Sequence, residues 1–273
     1  MESLEAALRE ARELDVESIA SAIQRIGFEC TRCGDCCRSV GGDQHTATIF
    51  PAEIRDVAER TGLQWGDVAR PMPFGLEGGR DVTFEWALQT DESGNCRFLQ
   101  ERAESGAELE PGEGDGGEGG KGGGGEGGKG GGEVGGKGGG GEGGKGGGGE
   151  GGEAESTGCC GEGENGGSAC IIYGDRPLIC RTYPFSLDLG GMTEPDEAIV
   201  ATDGRVQAHE CRGLGRSIDR EEAMSLARML KRRAIRELTE AIRVAARYEP
   251  VSSDGEIVVH DSEGAKRPDG TPL

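Results

Sequence analysis

Residues 30–37 read Cys30-Thr31-Arg32-Cys33-Gly34-Asp35-Cys36-Cys37, four thiols in the spacing C-x2-C-x2-C-C. Six more cysteines follow, at Cys96, Cys159, Cys160, Cys170, Cys180 and Cys211, which brings the total to 10 in 273 residues. Thiols at this density are oxidised to disulfides or hold a soft metal, and which of the two applies depends on the compartment. The start, Met1-Glu2-Ser3-Leu4-Glu5, is acidic and has neither a basic nor an apolar signal region, and no apolar run is long enough to span a membrane. The expectation is therefore a cytoplasmic chain with reduced thiols and no membrane partner, in which the cysteines bind metal.

The octet sets the geometry of the argument. Cys30, Cys33 and Cys36 recur at i, i+3 and i+6, close to one face of a helical or turn-like segment. Adjacent Cys36 and Cys37 point in different directions and do not reach one metal without strain, so Cys37 is assigned to a second site. Zinc and iron–sulfur centres each take about four thiolate ligands per site. With Cys159 and Cys160 set aside, eight cysteines remain: Cys30, Cys33, Cys36, Cys37, Cys96, Cys170, Cys180 and Cys211. These eight are the candidate ligands for one or two sites holding zinc or an iron–sulfur cluster. Cys159 and Cys160 lie between glycines at the edge of a low-complexity stretch, where ligation would carry a large ordering cost. His45 and His209 are substitute ligands, His209 the better because it adjoins Cys211 through Glu210.

Arginine accompanies the thiols. Five of the 16 non-cysteine neighbours of a cysteine are Arg (Arg32, Arg38, Arg97, Arg181 and Arg212), where the chain average predicts about 1.4. Guanidinium groups there lower thiol pKa values and offset the negative charge of a thiolate centre.

The rest of the chain divides by composition. Residues 112–152 are mostly Gly with scattered Glu and Lys, and Lys121, Lys129, Lys137 and Lys145 recur at a spacing of eight. Such a stretch cannot bury enough apolar surface to offset its ordering entropy, and residues 100–157 are expected to be a disordered insertion. The foldable part is residues 1–99 plus 158–250, followed by a polar tail over 251–273. Helical periodicity runs through 3–26, with Asp15 as a cap that splits it in two, and returns over 220–247 behind Asp219. Pro51 opens a further helix. Val82, Phe84, Trp86 and Leu88 alternate as one half-buried strand, and Asp203-Gly204 marks a hairpin. The class is α+β: a small cysteine-rich, metal-stabilised domain with flanking helices.

The chain carries 30 Lys and Arg against 51 Asp and Glu, a net charge of −21. Nucleic acid is excluded as a partner, because no basic patch is large enough to neutralise phosphates. Of the Lys only two lie outside the Gly-rich stretch, against 24 Arg. Dense carboxylates with almost no Lys resemble the proteins of halophilic archaea, where salt screens the mutual repulsion. Loss of secondary structure on dialysis out of molar salt is the check on that reading. Enzyme signatures of the H-E-x-x-H, G-x-S-x-G and phosphate-loop kinds are absent.

Three segments resemble the YkgJ-type cysteine cluster family: Phe28 to Arg38, Cys96-Arg97-Phe98-Leu99, and Cys170 to Phe185 with its run Arg176-Pro177-Leu178-Ile179-Cys180-Arg181-Thr182-Tyr183-Pro184-Phe185. Cys211-Arg212-Gly213 looks like that family's last cysteine. The family is described as a zinc- or iron-chelating domain, so the resemblance implies metal chelation, with Arg176, Tyr183, Pro184 and Phe185 shaping the surroundings of the site. It departs from the family in the separation of Cys96 from Cys170, which makes residues 100–167 an insertion in one loop. A similar cluster in flagellin lysine-N-methylases gives one alternative, an iron–sulfur-dependent redox or methyl-transfer enzyme. A zinc-stapled interaction module is the other. The protein partner is left open.

Overall fold

The computed structural model describes residues 1–39, 46–72, 82–100, 169–189, 199–251 and 255–273. Two helices open the chain, α1 over Glu2–Glu13 and α2 over Val16–Ile26. Asp15 separates them, and its carboxylate accepts the Ser18 N–H at 2.9 Å, satisfying one of the amides that a helix start leaves unpaired. A third long helix, α6 over Arg220–Arg247, is capped in the same way by Asp219, which accepts from the Glu222 N–H at 2.8 Å. Shorter helices α3 (Pro51–Thr61), α4 (Trp65–Val68) and α5 (Leu178–Thr182) lie between. Pro51 at the first helical turn fits because its missing N–H has no partner to lose there.

The strands are short. β1 (Thr48–Ile49), β4 (Trp86–Leu88) and β2 (Ala69–Pro71) form one antiparallel sheet with β4 in the centre. β7 (Phe185–Leu187), β9 (Val206–His209) and β8 (Ile199–Asp203) form a second, with the β8–β9 turn at Asp203-Gly204. β5 (Leu99–Gln100) pairs with β6 (Ala169–Cys170) in register Leu99↔Cys170 and Gln100↔Ala169. Helix and sheet are mixed throughout, compatible with the α+β class.

Two departures from the sequence reading stand out. Val82 to Leu88 is not one alternating strand. β3 (Val82–Thr83) pairs in parallel with β10 (Val258–Asp261), the chain bends with Phe84 47% exposed, and Trp86, Ala87 and Leu88 are all buried in β4. A central strand covered on both faces loses the period-two alternation of a half-buried one. Residues 258–266, expected to belong to a polar tail over 251–273, instead form a hairpin of β10 with β11 (Gly264–Lys266). Its Lys266 is buried, yet it reaches Asp261 at 2.9 Å and Glu263 at 2.7 Å, so the charge is compensated. The Trp86 indole N–H also donates to Asp261 at 2.9 Å.

Two main apolar clusters organise the molecule. The first gathers Ile54, Val57, Val68, Trp86, Leu88, Phe98 and Val259 from α3, α4, the first sheet and β10. The second gathers Ile19, Ile23, Phe185, Val206, Leu226 and Leu230 from α2, α6 and the second sheet. Each large side chain so buried contributes about 2 kcal/mol. No helix among the described residues is long and apolar enough to cross a membrane. The predicted insertion falls almost wholly outside the described residues. Gln100 and Ala169, on either side of the undescribed stretch, are register partners.

Candidate metal centre

All eight predicted ligand cysteines lie in described segments, and all are free thiols. They fall into two groups with different surroundings. Cys96 is 4% exposed within the first apolar cluster, and Cys37, Cys170 and Cys180 pack against that same cluster. These inner four come from four places in the chain: the end of the octet, the turn before β5, β6 and α5. The Cys96 N–H donates to the Cys37 carbonyl at 2.8 Å, and the Ile171 N–H donates to the Phe98 carbonyl at 3.0 Å. Backbone pairing thus fastens three of the four segments to one another.

The outer four, Cys30, Cys33, Cys36 and Cys211, sit on two loops that hang from the second cluster. Phe28 and Leu214 pack against it and form a backbone bridge with each other. The Glu29 N–H donates to the Gly213 carbonyl at 3.0 Å, and the Gly215 N–H to the Gly27 carbonyl at 3.1 Å. Arg212 closes the same seam through Asp35 at 2.7 Å. Gly213 is required by the close approach, since a Cβ there would stand 2.2 Å from the Glu29 carbonyl oxygen. Cys30 and Cys36 are exposed, while Cys33 and Cys211 are half-buried.

The octet itself is not a helix carrying three thiols on one face. Residues 30–34 are irregular, Arg32 (φ 53°) and Gly34 (φ 77°) lie in the left-handed region, and only Asp35–Cys37 forms a 3-10 turn. For Arg32 that backbone costs on the order of 1–2 kcal/mol and persists only where the surroundings hold it. Here its guanidinium lies 5.6 Å above the Tyr173 ring, whose other cation, Arg176, is at 3.7 Å. The Arg38 guanidinium donates to the Cys33 carbonyl at 2.7 Å and fixes the far end of the run. Adjacent Cys36 and Cys37 have their sulfurs 3.9 Å apart, so they do not point away from each other as the sequence reading expected, and Cys36 borders the inner thiols as well as the outer.

Electrostatics couple the two groups through Cys36, whose charge acts on both Cys170 and Cys180. The Cys36 thiol is pushed up first by its contact with Cys37 and then by burial. For Cys37 the Cys36 contact pulls the other way, but hydrogen bonding to Cys96 and burial push it up to about 12. Burial raises Cys180 and Cys170, and the charge of Arg176 opposes the rise at both. Burial also raises Cys211; the Gly213 N–H at 3.4 Å from its sulfur opposes this, while Cys33, Cys36 and Cys30 add to it. Without a cation, thiols so placed stay protonated. A soft cation among them reverses that preference, because a coordinating thiol is deprotonated outright. Among the described residues no group of three or more His, Cys, Asp or Glu side chains is arranged so that it could hold a metal ion. The fold brings the thiols within electrostatic reach of one another, and their chemistry fits a soft metal.

No family model, curated protein or solved structure matches this chain. The likeness to the cysteine cluster family therefore rests on the quoted residues alone. Of the residues expected around the site, Arg176 lies beside the inner thiols. Tyr183 donates its hydroxyl to the Glu210 carbonyl, next to Cys211, and burial together with the nearby thiols pushes it up to about 12. Phe185 anchors the second cluster and meets Phe28 edge-on at 5.6 Å. Its predecessor Pro184 is buried and follows a cis bond. The His209 ring stacks on Tyr183 at 6.4 Å and stands 3.2 Å from the Ser186 hydroxyl. His45, Cys159 and Cys160 lie outside the described residues.

Three contributors escaped the sequence reading. Glu53 accepts the Phe50 N–H at 3.1 Å and the Leu178 N–H at 2.9 Å, tying α3 to the start of α5 and hence to Cys180; burial raises its pKa. Its place three residues after Phe50, at the start of a Pro-led helix, was the available signal. Arg233 of α6 donates to the Thr182 hydroxyl at 3.1 Å and the Phe185 carbonyl at 3.2 Å, holding the other end of α5. Asp35, between two cysteines, takes Arg212 at 2.7 Å and Arg38 at 3.7 Å.

Proposed function

We propose that this chain is a soft-metal-chelating protein of the cytoplasm with two four-thiol sites, an inner one of Cys37, Cys96, Cys170 and Cys180 and an outer one of Cys30, Cys33, Cys36 and Cys211. The observation that carries it is the gathering of four thiols from four separate segments against one apolar cluster. Apolar packing alone gives no reason to use cysteine at all four positions, whereas thiolate coordination does. Bound there, zinc would supply a closed tetrahedral cross-link, and an iron–sulfur cluster would supply one-electron chemistry. Arg176 offsets part of the thiolate charge at the inner site, and Arg38 and Arg212 hold the outer loop in shape. A stapling role for the inner site is favoured by the burial of Cys96 in the core.

Anaerobic purification followed by metal analysis and a visible spectrum tests this. A colourless protein with two equivalents of zinc supports a zinc chelator and removes the iron–sulfur reading. A brown protein with iron and labile sulfide does the reverse. A preparation that neither retains nor takes up either metal, and whose Cys96→Ser variant unfolds as the wild type does, rules out chelation.

A further inference from the structure

Resting on the soft-metal reading above, we infer that the two thiol groups have different tasks: the outer group exchanges its metal with an acceptor that bears thiolates, and the inner group retains its own. The exposure pattern is the first support. Cys30 and Cys36 are exposed, whereas Cys96 is 4% exposed and its three companions pack against the Trp86–Phe98 cluster. Ligand exchange by association requires the incoming sulfur to approach the centre, so its rate depends on access. An acceptor reaches Cys30 from open solvent, whereas Cys37, Cys170 and Cys180 are half-buried and Cys96 lies in the core.

The backbone is the second support. The outer loops are joined by the Phe28↔Leu214 bridge and two flanking amide bonds, none of which involves the cysteines themselves. Displacing one outer ligand leaves that seam intact, so the cost stays local. The inner segments are paired through cysteine backbone, at Cys37 with Cys96 and at Leu99 with Cys170. The exchange balances without redox chemistry. The acceptor thiol gives up its proton, its sulfur takes the coordination position of Cys30 or Cys36, and the departing cysteine takes that proton.

The test uses the full-length holoprotein, purified anaerobically, mixed with dithiothreitol in the presence of a metallochromic dye. Release is expected in two phases of equal amplitude, the first about tenfold or more faster than the second. Cys211→Ser should abolish the fast phase and leave the slow phase and the unfolding midpoint in place. A single phase in the wild type, or a fast phase that survives Cys211→Ser, overturns the inference while leaving chelation standing. A protein that binds no metal at all defeats the underlying reading instead. A measurement independent of any variant is iodoacetamide labelling of the metal-free chain, mapped by mass spectrometry. Cys30 should be modified first, and equal rates at Cys37, Cys96, Cys170 and Cys180 would contradict the proposal.

Discussion

The inner and outer thiol groups are built from the same residue type and share a peptide bond between Cys36 and Cys37, yet they rest on different foundations. The inner four stand on the cluster around Trp86 and Phe98, which α3, α4 and β10 enclose. The outer four stand on irregular loops whose footing, Phe28 and Leu214, belongs to the cluster around Phe185 and Leu230. The comparison teaches that ligand identity does not fix what a thiol site does. On the proposed reading, packing behind the sulfur decides whether a bound ion would act as part of the core or as cargo at its edge.

Single ligands break this comparison most sharply. Cys96→Ser should cost the holoprotein on the order of 4 kcal/mol, the scale of losing a structural metal; Cys211→Ser should cost less than about 1 kcal/mol while removing one metal equivalent. Denaturant unfolding with metal analysis of both variants checks this, and equal losses would erase the distinction. The footings come next. Phe98→Ala, at a side chain 1% exposed, should destabilise by about 3–5 kcal/mol and deplete the inner metal first. Phe28→Ala, at a half-buried position, should cost less and deplete the outer metal first. Metal content at half-saturating chelator separates the two patterns.

Acid sharpens the inner side. Arg55, at 2.7 Å, and then Lys266 hold the Glu263 carboxyl well down, at about 2. A folded pKa below the unfolded value, about 4.3, means stability that is present above that value and lost as pH falls toward 2. Urea midpoints measured from pH 5 to pH 2 should therefore fall, and Glu263→Gln should flatten the slope. A slope unchanged by that substitution would show that the β10–β11 hairpin does not depend on this pair. The smallest effect is expected from deleting residues 102–156. Stability should shift by less than about 1 kcal/mol, with both metals retained; loss of metal would contradict the separation of the insertion from the sites.

What the sequence disclosed was local. Asp15 and Asp219 announce their helices because a carboxylate before an apolar-periodic run has one obvious use, and Asp203-Gly204 announces its hairpin for a similar reason. The adjacency of Cys36 and Cys37 led to an expectation of two sites, yet their sulfurs stand 3.9 Å apart. What the sequence could not disclose is that Cys96, Cys170 and Cys180 meet at one apolar cluster, because that depends on contacts far apart in the chain. The split of β3 from β4 was hidden for a related reason: Ala87 reads as a solvent position in an alternating strand and is buried because a second layer covers it. Gly264-Ala265-Lys266 carries no strand pattern of its own and is drawn into the sheet by β10 and the ion pairs of Lys266.

The register of Gln100 against Ala169 has a consequence for how this gene can change. Two chain ends already hydrogen-bonded to each other make the connection between them nearly neutral in length, since closure entropy grows only logarithmically, roughly 0.6 kcal/mol per doubling. The address suits an engineer: a reporter domain inserted there, or new termini opened there by circular permutation, would join the molecule where two strands already pair.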